Sequence, residues 1–213
     1  MRRCRKPRVG LHRYIMGCHS TYIPSALDVG ATLLTWGIAP EKGPERAIEI
    51  AKRARLPLKM AAKVDPLDQQ YFSSVIKPLL DDPLIEFIGE VDDDHKQEFL
   101  GNATALLFPI DWPEPFGLVM IEALSMGTPV VAWPMGSAPE VIEDGVTGLL
   151  VESVDAAVQA IHHIRDIDRQ AIRQRFEQRF SATRMAREYV AAYEELLERS
   201  TRHAPCSEVA TSR

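Results

Sequence analysis

Pro113-Glu114-Pro115-Phe116-Gly117-Leu118-Val119-Met120-Ile121-Glu122-Ala123-Leu124 is the stretch on which the fold class turns. Two carboxylates, Glu114 and Glu122, bracket seven residues. Upstream, Thr104-Ala105-Leu106-Leu107-Phe108-Pro109 reads as a buried strand. A proline-punctuated loop follows it, and an amphipathic helix starts at Gly117. The loop therefore lies at the carboxyl end of a strand, where open α/β sheets bind ligands. The amides of Gly117, Leu118 and Val119 fall at a helix start, free to hold an anion. One carboxylate precedes those donors and the other sits about two turns into the helix. That arrangement suits a ligand with phosphate at its centre and hydroxyl-rich rings at both ends, such as a nucleotide-sugar.

Working outward, strand and helix signals alternate. Strands are expected at 31–36, 58–64, 85–88, 129–133 and 149–151, besides the one before Glu114. Helical spacing runs through 44–55, 68–80 and 94–100, with Phe72, Val75, Ile76 and Leu79 on one face of the second. Ser137-Ala138-Pro139-Glu140 reads as a capping box opening another helix. The last third is helical, over 154–165, 168–180 and 182–198. From Ser200 the tail is polar and aperiodic and reads as disordered. Six short strands alternating with helices predict an α/β fold: a doubly wound parallel sheet in a single Rossmann-like domain over 31–199, with a helical carboxyl-terminal segment.

Composition limits the function classes. The chain has 213 residues, 46% of them apolar, enough for a substantial core. No apolar run is long enough to span a bilayer. The first residues are basic but lack an apolar block after them, so a secretory signal is not expected. Cys4, Cys18 and Cys206 are odd in number and lie near the ends, which fits a cytoplasmic protein better than a disulfide framework. Arg2, Arg3, Arg5, Lys6, Arg8 and Arg13 precede the first acid, Asp28, so with a net charge of −5 the rest of the chain carries −11. An acidic body argues against nucleic acid as the partner. The segment 1–30 is expected to be disordered or atypical.

Each constellation has a plain structural alternative. Glu114 and Glu122 read as surface charges if taken alone. But Glu122 is flanked by Ile121, Ala123 and Leu124, and a carboxylate in an apolar helix needs a partner. A ribose diol supplies two donors to one carboxylate. Ala39-Pro40-Glu41-Lys42-Gly43 forms a second strand-to-helix loop, from which Lys42 could reach a diphosphate. Gly136-Ser137 is explained by the capping box. Cys4, His12, Cys18 and His19 match no zinc spacing, and no metal or cofactor is expected. His162 and His163 read as surface residues. No Gly-x-Gly-x-x-Gly and no Walker-type loop occurs, which disfavours nicotinamide, flavin and P-loop enzymes.

Ile38-Ala39-Pro40-Glu41-Lys42-Gly43, Phe87-Ile88-Gly89, Glu114-x7-Glu122, Gly127-Thr128-Pro129-Val130-Val131 and Pro139-Glu140-Val141-Ile142-Glu143-Asp144-Gly145 together resemble the carboxyl-terminal half of retaining glycosyltransferases of family 4, also called glycosyl transferases group 1. The resemblance covers roughly 38–197. It implies the donor-binding domain of a two-domain GT-B enzyme that moves a sugar from a nucleotide-sugar to an acceptor with retention. It further implies that Glu122 binds the ribose, Glu114 orients the donor sugar, and Lys42 takes the diphosphate. The amides around Phe116, Gly117, Leu118 and Val119 would face sugar and phosphate, and Gly89, Glu90 and Val91 would hold the base. No metal is implied, because a helix start plus Lys42 can stabilise the leaving diphosphate.

Two departures stand out. The family usually shows Gly-Arg before Ile38, and its Arg also grips the diphosphate; here the pair is Trp36-Gly37. Losing one preorganised donor to developing charge costs ~3 kcal/mol, or ~100-fold in rate. The residues before Ala31 are also too few for the acceptor domain. The expectation is a truncated chain that binds nucleotide-sugar without turnover, one that pairs with a separate acceptor-domain chain, or one that self-associates through an apolar interdomain face.

Overall fold

The computed structural model describes residues 31–202. The basic arm, the grouping of Cys4, His12, Cys18 and His19, and Cys206 lie outside the described residues. Six parallel strands form one sheet: β1 Leu33–Trp36, β2 Leu58–Ala61, β3 Ile85–Gly89, β4 Ala105–Phe108, β5 Val130–Ala132 and β6 Gly148–Leu150. Their order is β3-β2-β1-β4-β5-β6. Leu33 lies beside both Leu58 and Ala105, and Leu106 lies beside Val130. The strand order reverses between β1 and β4, which makes their carboxyl ends the topological switch point. The doubly wound parallel sheet expected from the sequence is therefore present.

The strands read as unbroken apolar runs because both faces are covered. On one face, Leu33, Leu58, Met60, Ile85, Leu107 and Val131 form the core with helices α1 (Pro44–Ala54) and α5 (Val154–His163). On the other, Leu34, Leu106 and Val130 are buried. Trp36 shares the pleat of Leu34 and meets Phe99 of α2 (Asp93–Gly101), with ring centroids 6.4 Å apart. Helix α3 (Leu118–Ser125) packs beside α2. Asp92 caps α2 by accepting from the His95 amide, and Ser153 caps α5 by accepting from that of Ala156.

Two expectations fail locally. The helix expected over 68–80 is composite: Gln69–Tyr71 is α-helical, Phe72–Ile76 is a π-turn and Lys77–Asp81 is 3-10. Ser73 and Ser74 hydroxyls donate to the carbonyls of Gln69 and Gln70, and Pro78 offers no amide, so the regular ladder breaks. Val75 consequently turns outward, while Ile76 is fully buried. The capping box at Ser137 does not form. Helix α4 (Ala138–Val141) is short, Ser137 already has helical angles (φ −76, ψ −10), and its hydroxyl is buried without a partner. A capping side chain needs extended backbone at its own residue.

The described residues divide into two units after Glu177. The first, 31–177, holds the sheet, α1–α5 and most of α6 (Arg169–Phe180). The second holds the end of α6 and α7 (Ala182–Arg202). Helix α7 runs beyond Ser200 and carries Tyr189, Val190, Tyr193, Leu196 and Leu197 at helical spacing. Among the described residues, no helix is long and apolar enough to cross a membrane.

Candidate functional site

The loops after β1 and β4 meet at the switch point. Lys42 ends a 3-10 turn, Pro40–Lys42, and its Nζ lies 2.5 Å from Glu114 Oε2 across 72 residues of chain. Both side chains are mostly buried, at 27% and 15% exposure. Trp112 Nε1 donates to the same oxygen at 3.0 Å, and Lys42 Nζ lies 5.0 Å from the Trp112 ring centroid. Burial pushes the Glu114 carboxyl up, but Lys42, Trp112 and the Gly117 amide outweigh it and hold the group below its ordinary value. Glu114 is thus an anion at neutral pH, saturated with donors on one oxygen.

The surrounding backbone is fixed to match. The Asp111 amide donates to Glu41 O at 2.8 Å, and Arg46 Nη1 donates to Pro109 O at 3.0 Å, fastening the first loop to the second. Behind Glu114, the Ser137 amide donates to Glu114 O at 2.9 Å. Gly136 has φ +55, and a Cβ there would lie 2.4 Å from Glu114 N and O. Only glycine allows that approach. Gly136-Ser137, explained from sequence by a cap, instead seats the Glu114 loop. Gly37 has φ +103, and its α-carbon packs against the Lys42 stem, with a Cβ falling 3.1 Å from Lys42 Cγ.

At the start of α3 the Gly117 amide lies on the Glu114 side and helps hold that carboxylate's charge. The Met120 amide donates to Gly117 O. The amides of Leu118 and Val119 have no acceptor within the helix and donate to no described residue. Phe116 and Leu118 are about half exposed, at 51% and 53%. Gly89 ends edge strand β3 at φ +76, and Glu90 and Val91 lead from it to the Asp92 cap.

Glu122 lies on α3 and meets a second cation, Lys96. Lys96 Nζ of α2 donates to Glu122 Oε1 at 2.6 Å. The same ammonium lies 4.7 Å from the Trp36 ring centroid. The buried Arg169 ties the end of α2 to the turn that follows α3. Its Nη1 donates to Ala103 O, and its Nη2 to Gly101 O and Thr128 Oγ1. Thr128 Oγ1 donates in turn to Leu100 O. Burial lowers the Arg169 pKa to about 10.

The sequence singled out Lys42, Glu114 and Glu122, and the structure adds Lys96, Trp112 and Arg169 as their neighbours or supports. Trp112 lies two residues before Glu114, close enough to have been found. Lys96 sits in Asp92-Asp93-Asp94-His95-Lys96, whose charge pattern points to solvent. A hollow of about 300 Å³ opens elsewhere, between Leu34, Lys59 and the α2 side chains His95, Glu98 and Phe99; Lys42, Glu114 and Glu122 do not line it. His162 and His163 are exposed on α5. Among the described residues, no group of three or more His, Cys, Asp or Glu stands together to hold a metal.

The family model described as glycosyl transferases group 1 matches residues 37–181, more than half of the chain. A phosphatidyl-myo-inositol mannosyltransferase of Mycobacterium leprae is 35% identical over 92 residues, which is 43% of this chain and 25% of that protein. The sucrose-phosphate synthase of Thermosynechococcus elongatus superposes with a TM-score of 0.69 at 23% identity, covering 81% of this chain and 47% of that one. Anabaena HepE, solved with UDP and glucose, superposes with a TM-score of 0.68 at 20% identity, covering 79% of this chain and 49% of that one. The chain thus spans a quarter of its curated relative and about half of either solved chain.

Proposed function

Since the chain belongs to the glycosyl transferases group 1 family, we propose that the cluster at the switch point binds a nucleoside-diphosphate sugar, whose sugar the protein transfers to an acceptor with retention of configuration. The observation that supports this reading is the Lys42–Glu114 contact, which joins a cation and an anion from the loops that follow β1 and β4. Lys42 and the amides of Leu118 and Val119 take the diphosphate. Glu114 keeps Lys42 aimed and orients the sugar beside Phe116. Glu122 accepts from the ribose hydroxyls, and the main chain of Gly89, Glu90 and Val91 holds the base.

The chemistry follows from charge. The bond between the sugar's anomeric carbon and the phosphate oxygen breaks, and a bond from that carbon to the acceptor oxygen forms. The electron pair leaves with the diphosphate, whose oxygen takes the acceptor's proton. A fixed ammonium and fixed amides stabilise the growing negative charge without reorganising. No protein base is required, and a nucleotide-sugar is the only co-substrate needed. A cytoplasmic setting suits the odd cysteine count.

Calorimetric titration with UDP, GDP and ADP tests donor binding, with UDP first because HepE carries it. One nucleotide should bind, and Lys42→Ala should weaken it by roughly 100-fold, as removal of a charge-stabilising donor does. A folded chain that binds none of the three overturns the reading. Hydrolysis of the matching nucleotide-sugar then separates transfer chemistry from donor binding alone: binding without turnover would leave a donor-binding module.

A further inference from the structure

The mostly buried Lys96–Glu122 pair carries an inference beyond the roles given above. The two side chains are 11% and 16% exposed. A cation this far from water needs more than one compensating group. Those of Lys96 include Glu122 Oε1 at 2.6 Å and the Trp36 ring face, 4.7 Å from its centroid. Trp36 is held in turn by Phe99, three residues beyond Lys96 on the same helix face. The ammonium is thus fixed by an indole at the end of β1 and delivered to a carboxylate on α3. It engages one oxygen of Glu122, while Oε2 accepts from no described residue.

Resting on the donor reading above, we propose that Lys96 is a positioning residue for ribose recognition, itself pinned by Trp36. The contact at 2.6 Å fixes the plane of the Glu122 carboxylate. Oε2 and the remaining lone pair of Oε1 then meet a vicinal diol that gives two hydroxyl donors. Without Lys96 the carboxylate is free to rotate, and the site loses its preference for a ribose over a deoxyribose. If the pair only braced α2 against α3, its removal would lower stability and leave that preference unchanged.

The test titrates wild type, Lys96→Met, Lys96→Arg and Trp36→Leu with whichever of UDP, GDP and ADP binds, and with its 2′-deoxy counterpart. Thermal melts show which variants are folded. Wild type should favour the ribonucleotide by roughly 10-fold, the worth of a hydrogen bond to a charged group. Lys96→Met should bring that ratio close to one, mostly by weakening the ribonucleotide. Trp36→Leu should leave about threefold, in keeping with a modest cation–π contact, and Lys96→Arg should restore part of the wild-type ratio. Should Lys96→Met not fold, Trp36→Leu decides alone. An undiminished ratio in the folded variant overturns the proposal and leaves the pair as a brace. A wild type that binds both nucleotides equally overturns the ribose role but not donor binding. A wild type that binds no nucleotide removes the donor reading and this inference with it.

Discussion

Two clusters in this molecule use the same three residue types to different ends. In the first, Lys42 meets Glu114 and the Trp112 ring. In the second, Lys96 meets Glu122 and the Trp36 ring. The first is borne on loops and the second on helices α2 and α3. Loops have no ladder to hold them, so the first cluster relies on tight backbone approaches, at Gly136 against Glu114 and at Gly37 against the Lys42 stem. The second needs none, because helix packing and Arg169 already fix α2 against α3. Precision at a loop site comes from glycines, and at a helix site from buried side chains.

That contrast predicts unequal sensitivity to one added methyl group. Gly136→Ala should be strongly damaging, costing roughly 3 kcal/mol or more, because it combines overpacking against backbone with a left-handed φ. Chemical denaturation measures the loss, and an equal loss of nucleotide affinity should accompany it as the Glu114 loop shifts. A neutral Gly136→Ala would break the comparison.

The second prediction concerns acid. Folding holds the Glu114 carboxyl below its ordinary value. Its contribution is therefore complete above the unfolded pKa of about 4.3 and fades as pH falls through the folded one. Melting temperatures of wild type and Glu114→Gln should differ by a few degrees, about 2–4 °C, at pH 7, and the gap should close as pH falls below the ordinary carboxyl range. A gap that persists into acid would mean that the charge is not what stabilises the loop.

The smallest expected effect lies beside the second cluster. Gly101 closes α2, and a Cβ there would meet only the flexible end of Met126, at 3.4 Å. Gly101→Ala should be neutral or stabilising by about 0.5 kcal/mol, since alanine is the better helix former. Denaturant midpoints for this variant and Gly136→Ala, measured side by side, sharpen the contrast between the two regions.

The fold was legible because its signals are local. Apolar runs such as Leu106-Leu107-Phe108 and the turn before Gly117 mark elements without knowledge of the rest of the chain. Lys42, Glu114 and Glu122 were legible as members of those turns and helices. What pairs with them was not, since Lys42 finds Glu114 only through the β1–β4 neighbourhood, and Lys96 finds Glu122 only through the packing of α2 on α3. The Ser137 cap failed for the opposite reason. Its local pattern is sound, but the Glu114 carbonyl accepts from the Ser137 amide and claims that turn for a tertiary contact.

The β1–β4 pairing also bears on how the chain is made. Of the described strands, Leu33–Trp36 comes first in the sequence yet sits mid-sheet, and one of its edges waits for Ala105–Phe108. Such distant partnerships slow folding. Until Phe108 is made, one edge of β1 stands open to pairing with foreign strands, and until Glu114 is made, Lys42 lacks this counter-ion.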